Sequence, residues 1–408
     1  MKIAPVKIAL VTMQFPVASE AFAAVEIRAL RRQGAEITVL AYRGPPAGAE
    51  QLLAERDLAG LPVDQGGIAA TLQGMLTMLA RPGDCLWLLS KVLRGCRRSP
   101  RHMLKALSLM PRSFAMLQKL EARRPDVVHL FWGHYPSLLG LLVRRHLPDV
   151  VVSHFLGAYD LERRFPLSAE LAGQADVVIS HTRANLPALT ALGLPADRVA
   201  VAYRGIEIPP DLPAPEKTRG LMVVAERLVP QKRTADALKL FAEVVRTLPE
   251  ARLVIFGDGP EAGRLQALCA ELGIAERVVF AGHVPQQEVF RALDTAEVAL
   301  TLSQSPSERL PNALKEAMLR RCLCLSTRSP GIEELIRDGE TGLLVEAGDP
   351  VAAARRLVTL LADRQAVERI GRQAQARVMA DFDVDRLMAE RLERWSALLR
   401  RRRAGATA

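Results

Sequence analysis

The stretch ERLPNALKEA, Glu308 to Ala317, sets two carboxylates eight positions apart across the start of a helix. Leu310, Ala313, Leu314, Ala317 and Met318 recur at helical spacing and supply its buried face. Pro311 and Asn312 suit the first turn, where a missing N–H costs nothing. Glu308 then stands at the mouth of a strand–loop–helix unit, after the apolar run Val298 to Leu302 and the polar loop SQSPS, with Glu316 two turns inside. Free N–H groups at such a helix start suit anionic or hydroxyl-rich ligands. Acidic residues also flank many plain surface helices, so the stretch needs company to mean chemistry.

Company lies upstream. The apolar run Leu221 to Ala225 ends in a loop carrying Arg227 and Lys232. Two cations at the carboxyl end of a strand can hold a diphosphate. At an effective dielectric near ~20, each contributes about 4 kcal/mol of Coulomb energy before desolvation. Between the two stretches comes LVIFGDGPEAGRL, Leu253 to Leu265, which reads as strand, turn and helix. Gly257, Asp258 and Gly259 make the turn, and glycines there let backbone approach a ligand closely.

The elements that must position these groups alternate strand and helix. Val6–Thr12, Glu36–Tyr42, Val150–Phe155, Ala175–Ser180 and Arg198–Tyr203 read as apolar strands, with a helix over Ala21–Gln33. Near-continuous apolar strands separated by helices predict parallel sheets covered on both faces. Residues 209–217, PPDLPAPEK, carry four prolines and no apolar periodicity, the best linker in the chain. The expected organisation is α/β: a Rossmann-like domain over 1–212, a second over 218–382, and a C-terminal helix in 383–408. Ligands of such sheets bind beyond the carboxyl ends of the strands.

Composition bounds the class. The chain has 408 residues, 49% hydrophobic and 25% charged, with a net charge of +10, the balance of a globular protein large enough for two cores. The five cysteines show no C-x-x-C and no His–Cys cluster, so no zinc site is expected and the thiols should be buried and reduced. No apolar run reaches transmembrane length, and MKIAPVKIALVTMQFP reads as a strand rather than a signal peptide, which predicts a cytoplasmic protein. Residues 85–124 hold ten basic residues against Glu121, interleaved with Trp87, Leu88, Leu89, Leu93 and Leu104. Basic and apolar together suggest an anionic membrane surface; a solvated helix face is the plain alternative. No nucleic-acid motif accompanies the charge, so nucleic acid is not expected as a partner.

In this order and spacing the motifs resemble those of the family 4 retaining glycosyltransferases, which have the GT-B fold of two Rossmann-like domains facing across a cleft. The matching pieces are Arg227 and Lys232, the turn Gly257 to Pro260, AGHV at Ala281 to Val284, the two glutamates, and GIEELIRDGETGLLV from Gly331. The opening, FPVASEAFAAVEIRALRRQGAEITVL, is similar to members found in bacterial exopolysaccharide and colanic-acid-type synthesis.

The resemblance implies a transferase with a nucleotide-sugar co-substrate, no metal or other cofactor, and a lipid-linked or saccharide acceptor held by the first domain. The last helix would cross back to that domain. Arg227 and Lys232 would neutralise the donor diphosphate, and Glu316 would bind the ribose hydroxyls. Glu308 would lie on the sugar side, with the backbone from Arg309 through Leu310 and Pro311 to Asn312 facing sugar hydroxyls. His283 and Val284 would offer backbone to the base. A histidine of the first domain should face the sugar; His154 is the nearest to the family position, with Asp160 close behind, and His129 and His134 are rivals.

The chain also departs from the family. Glu226 replaces a common glycine, Arg309 follows Glu308 where glycine is usual, and Leu156 precedes Gly157 where the family often has histidine. Arg309 is expected to point to solvent, the alternative being an acidic donor sugar. The glycine-rich first loop is missing; Pro16 to Glu20 stand there, with Ser19 read as a helix N-cap. These departures keep a second reading open, a catalytically inactive GT-B protein that binds a nucleotide sugar or scaffolds a synthesis complex. An epimerase or phosphorylase fits less well, since the paired glutamates oppose the first and no cofactor-lysine motif supports the second.

Overall fold

The computed structural model describes residues 5–17, 20–212, 216–305 and 308–406. They form two compact units, residues 1–205 with 384–408, and residues 206–383. The division at 205/206 falls ahead of the proline-rich stretch, which therefore belongs to the second unit. Ser19 and residues 213–215 lie outside the described residues, so the N-cap expected at Ser19 cannot be placed.

The first unit is built on seven parallel strands: β1 (Lys7–Thr12), β2 (Glu36–Ala41), β3 (Val63–Gln65), β4 (Val127–Leu130), β5 (Val151–Phe155), β6 (Val177–Ser180) and β7 (Val199–Val201). Their order is β3-β2-β1-β4-β5-β6-β7. Side chains alternate across a strand, and both faces are covered. Val11, Val128, Leu130 and Val152 face one core, closed by helices Pro100–Arg123 and Ser137–His146. Ile8, Leu10, Val127, Val151 and Val177 face the other, closed by helix Ala21–Arg32 and the C-terminal helix Val384–Ala406.

That last helix is pinned to the first unit by packing and by charge. Trp395 is fully buried, its ring 5.2 Å from that of His129. Arg391 donates to Glu26 at 2.7 Å, and both are buried. Arg204 approaches the same carboxylate at 3.6 Å, and its guanidinium lies 4.1 Å from the ring of Phe22 and 4.3 Å from that of Phe155.

Between β3 and β4 the chain inserts three helices, Ile68–Ala80, Pro82–Cys96 and Pro100–Arg123. The basic apolar segment read from the sequence is thus two helices joined by a short turn at 97–99. The first helix crosses the third closely: a Cβ on Gly74 would fall 1.7 Å from the carbonyl oxygen of Pro111.

The second unit repeats the plan with six parallel strands: β8 (Thr218–Ala225), β9 (Arg252–Phe256), β10 (Val278–Gly282), β11 (Ala296–Thr301), β12 (Leu323–Thr327) and β13 (Leu343–Val345), ordered β10-β9-β8-β11-β12-β13. Each sheet reverses direction once, between β1 and β4 in the first unit and between β8 and β11 in the second. The loops leaving those strands diverge there, which is where such sheets take ligands. All five cysteines are free thiols, and only Cys85 is not fully buried. Among the described residues no helix is long and apolar enough to cross a membrane.

Candidate active site

At the reversal point of the second unit, four loops are sewn together by backbone. Beyond β8 the chain turns through Pro230–Lys232, and the Gln231 carbonyl accepts from the Gln304 amide at 3.1 Å and from the Ser303 hydroxyl at 3.3 Å, both beyond β11. The turn after β9 lies against the loop after β8: Glu226 N–H donates to the Phe256 carbonyl at 3.0 Å and Leu228 N–H to the Asp258 carbonyl at 2.9 Å. Gly257 N–H reaches the Gly282 carbonyl at the end of β10 at 2.7 Å.

This contact explains the two glycines. A Cβ at Gly257, whose φ is +119°, would sit 1.9 Å from the Glu226 carbonyl oxygen; one at Gly259 would sit 2.3 Å from that of Leu228. The close approach they permit in this structure is between two loops of the same chain. Asp258 between them is exposed, and its Oδ1 accepts from the Gly259 N–H at 2.7 Å.

The loops converge three charged side chains. Lys232 forms an ion pair with Glu308, residues 76 positions apart and both largely shielded. Glu226 accepts from the Thr234 hydroxyl at 2.8 Å. Burial pushes the Glu226 carboxyl up to about 7, against the opposing pull of Lys232 and the Thr234 hydrogen bond, with Glu308 adding repulsion. Among the described residues, one carboxylate oxygen of Glu226 and one of Glu308 are buried without a hydrogen-bond partner. Arg227 is exposed and has no ion-pair partner among the described residues.

Glu316 lies on helix Asn312–Leu319, whose N-cap is Pro311. It is the fifth helical residue, so it sits just past one turn rather than two. It accepts from Gln286 Nε2 at 2.8 Å, on the helix that follows β10. Burial raises its carboxyl to about 7, and Arg320, Gln286 and Lys315 pull in the opposite direction. His283 is exposed and Val284 half-buried, on the segment that leads into the same Gln286 helix. Leu310 is buried and packs as core. Arg309 is half-buried, which corrects the expectation that it points to solvent. Asn312 Oδ1 accepts from Lys315 Nζ at 3.0 Å.

The first unit corrects the choice of histidine. His154 is completely buried. Its Nε2 pairs with the Gly133 carbonyl at 3.1 Å, and burial pushes the imidazole down to about 4. His129 is also in the core, bonded through Nδ1 to the Ser153 hydroxyl at 3.0 Å, with burial holding its pKa well below the ordinary value. Both rings are enclosed in the core of the first unit. Strand alternation decides this, because both lie within strands rather than beyond them.

His134 lies beyond the carboxyl end of β4. Its Nδ1 meets Asp160 Oδ1 at 2.7 Å, and the same carboxylate accepts from the N–H groups of Gly133, His134 and Gly157 at 2.9, 3.1 and 3.1 Å. Asp160 thus fixes both the backbone and the ring beside it. Around this dyad stand residues the sequence did not single out. The Trp132 ring lies 6.2 Å from His134 and 5.6 Å from Tyr159. Trp132 Nε1 donates to Glu20 at 3.3 Å, and burial raises the Glu20 carboxyl. The signal was present in the aromatic run FWGHYP directly after an apolar strand.

Two doubly wound units, with cations and carboxylates gathered where the second sheet reverses, define a glycosyltransferase of the GT-B class. The comparisons agree: residues 207–377 match the family described as glycosyl transferases group 1, and residues 20–208 match Glycosyltransferase Family 4. The chain belongs to the family 4 glycosyltransferases.

It is 27% identical over 423 aligned positions to the amylovoran biosynthesis glycosyltransferase AmsK of Erwinia amylovora, covering 95% of this chain and 99% of that protein. It is 35% identical over 159 residues to the N-acetyl-alpha-D-glucosaminyl L-malate synthase of Bacillus anthracis, a match spanning 39% of this chain and 40% of that one. The fold is shared with Anabaena HepE, solved in complex with UDP and glucose, at a TM-score of 0.70 and 17% identity over 96% of this chain and all of that one.

Proposed function

We propose that the protein is a retaining, metal-independent glycosyltransferase. It moves a sugar from a nucleotide-sugar donor to a lipid-linked or saccharide acceptor in cell-surface polysaccharide synthesis. It works in the cytoplasm, against the anionic inner face of the membrane. The observation that carries the reading is the convergence of Lys232, Glu308 and Glu226 beside exposed Arg227 at the reversal of the second sheet. AmsK, aligned over nearly the full length, supports polysaccharide synthesis, and the UDP and glucose bound by HepE support a nucleotide-sugar donor.

In this mechanism Arg227 and Lys232 bind the diphosphate. The leaving group gains negative charge as the C–O bond breaks, so fixed cations favour the transition state over the ground state. Glu316 takes the ribose hydroxyls. Glu308, held by Lys232, faces the sugar, where its carboxylate stabilises developing positive charge at the anomeric carbon. The acceptor attacks on the face the diphosphate leaves, and a diphosphate oxygen takes its proton. In the first unit His134, fixed by Asp160, is the candidate imidazole in place of His154.

A thermal-shift series across nucleoside diphosphates tests the donor site, because a bound ligand raises apparent stability. Turnover of the corresponding nucleotide sugar, with and without EDTA, tests the chemistry. Binding without turnover would leave an inactive scaffold, and activity lost in EDTA and restored by magnesium or manganese would overturn the metal-free mechanism.

A further inference from the structure

Helix Ile68–Ala80, IAATLQGMLTMLA, contains no charged residue, and it is built inside out. Its fully buried positions are Gly74 and Thr77. Gly74 lets it cross the Pro111 carbonyl closely, and no larger residue fits there. Its polar groups bind the third inserted helix: Thr71 accepts from Arg112 Nε at 2.9 Å, and Gln73, at the exposed edge of the contact, donates to Gln118 at 3.0 Å. The apolar residues Ile68, Leu72, Met75, Leu76 and Leu79 face outward, each between 42% and 82% exposed. At i, i+4, i+7, i+8 and i+11 they form one continuous stripe. Leu86, Leu93 and Leu104 on the next two helices are exposed as well. A contiguous apolar surface of this kind marks a docking site rather than ordinary solvent-facing helix.

The charge beside it selects the occupant. Arg94, Arg97, Arg98 and Arg101 cluster at the turn joining the second and third inserted helices, all exposed. Among the described residues none of the four has an ion-pair partner, whereas neighbouring Arg81, Lys91 and Arg145 are paired with Glu121, Glu170 and Asp84. Leu93 precedes Arg94 directly, and Leu104 lies one helical turn from Arg101. An apolar stripe on one inserted helix, with unpaired arginines beside exposed Leu93 and Leu104 on the two helices that follow it, is complementary to a bilayer with anionic headgroups, where leucines enter the acyl boundary and cations meet phosphates. A protein partner or a second copy would need its own acidic rim around an apolar groove.

We infer that the outward face of helix Ile68–Ala80 inserts into an anionic membrane, with the arginines of the 94–101 turn as its electrostatic collar. This rests on the reading of a membrane-side acceptor and moves the insertion point to a helix outside the basic segment that the sequence suggested. Insertion here would hold the first unit at the bilayer, where a lipid-linked acceptor is presented.

The test is co-sedimentation of the full chain with vesicles of phosphatidylglycerol and phosphatidylethanolamine. Three proteins are compared: the wild type, the triple variant Leu72→Gln/Leu76→Gln/Leu79→Gln, and a variant with Arg94, Arg97, Arg98 and Arg101 each changed to Glu. All substituted positions are exposed, and thermal melts confirm folding. Wild type should pellet with the vesicles and lose affinity with salt. The leucine variant should bind at least about tenfold more weakly at every salt concentration, and the arginine variant should not bind.

Wild-type protein that stays in the supernatant overturns the inference, as does a leucine variant that binds like wild type. So does wild-type protein that self-associates without lipid while the leucine variant is monomeric, since the occupant would then be a second copy. The nucleoside-diphosphate thermal shift is read on the same samples. Failure at the vesicles with that shift intact removes only the docking face; a missing shift with vesicle binding intact removes only the donor site.

Discussion

Replacing Glu316 with Gln should change how nucleotide binding depends on pH. Burial holds this carboxyl at about 7 in the unliganded protein, against an ordinary 4.5. A carboxylate that accepts from two ribose hydroxyls must be ionised, so binding first has to remove the proton. At pH 6 about nine-tenths of the protein carries it, and at pH 8 about one-tenth. The affinity of wild type for a nucleoside diphosphate, relative to that of Glu316→Gln, should therefore rise about tenfold between pH 6 and 8, or about 1.4 kcal/mol. The Glu316→Gln variant has no proton to release and should lack this component. The diphosphate titrates in the same range, but that contribution is common to both proteins and cancels in their ratio.

Stability carries the same signature with a fixed sign. The folded protein holds the proton more tightly than the unfolded chain. The carboxyl therefore costs nothing below pH 4.5, and its cost grows up to pH 7 and then levels. Discounted for partial exposure, that cost is about 2 kcal/mol, so Glu316→Gln should melt higher than wild type at pH 8 and equally at pH 4. Isothermal calorimetry at three pH values, with melts alongside, makes the measurement. Parallel pH profiles for the two proteins would refute the ribose assignment.

Arg227→Ala and Lys232→Ala should each cost about 3 kcal/mol in the transition state, roughly a hundredfold in turnover; steady-state kinetics at full wild-type rate would remove either from the diphosphate site. Glu308→Ala should leave nucleoside-diphosphate affinity nearly intact and lower turnover by at least about tenfold, whereas Glu316→Ala should weaken the affinity itself; equal losses in calorimetry would mean one glutamate is misplaced. Arg391→Met removes the direct hydrogen bond to buried Glu26, leaving it Arg204 at 3.6 Å, and should lower stability by about 1–3 kcal/mol in denaturant titration, with Glu26→Gln added to it restoring part; an unchanged midpoint would mean the pair does not anchor the last helix.

Much of the second unit was legible because its strands are apolar runs of strand length and each candidate group follows one directly. The sequence could not show that Lys232 and Glu308 touch. That contact depends on β8 and β11 being neighbours, a property of strand order rather than of either segment. The His154 error has a local cause. In SHFLGAYD the imidazole sits one residue before the end of β5 and inherits an inward orientation, where it joins the Ser137 and Ser168 hydroxyls at the Gly133 carbonyl. Helix Ile68–Ala80 was missed for the opposite reason. Its apolar stripe reads as a core face, and only the Gly74–Pro111 crossing shows which side is inside.

Glu226, the departure that most endangers catalysis on paper, acquires a role once the charges are counted. Lys232 is already matched by Glu308, so an ionised Glu226 would leave the loop with two carboxylates around one ammonium. A diphosphate could then enter only against net repulsion, with Arg227 as its sole unmatched cation. The shielded position of Glu226 resolves this, since its carboxyl at about 7 carries a proton much of the time near neutrality. A diphosphate brings further negative charge and must raise that value again, because like charges nearby favour the protonated form. Bound donor and neutral Glu226 therefore stabilise each other, and a neutral carboxyl can donate a hydrogen bond where a glycine could offer only backbone. At the proposed donor site the substitution would make binding proton-coupled at this loop, opposite in sign to Glu316, whose ribose contact would require loss of its proton.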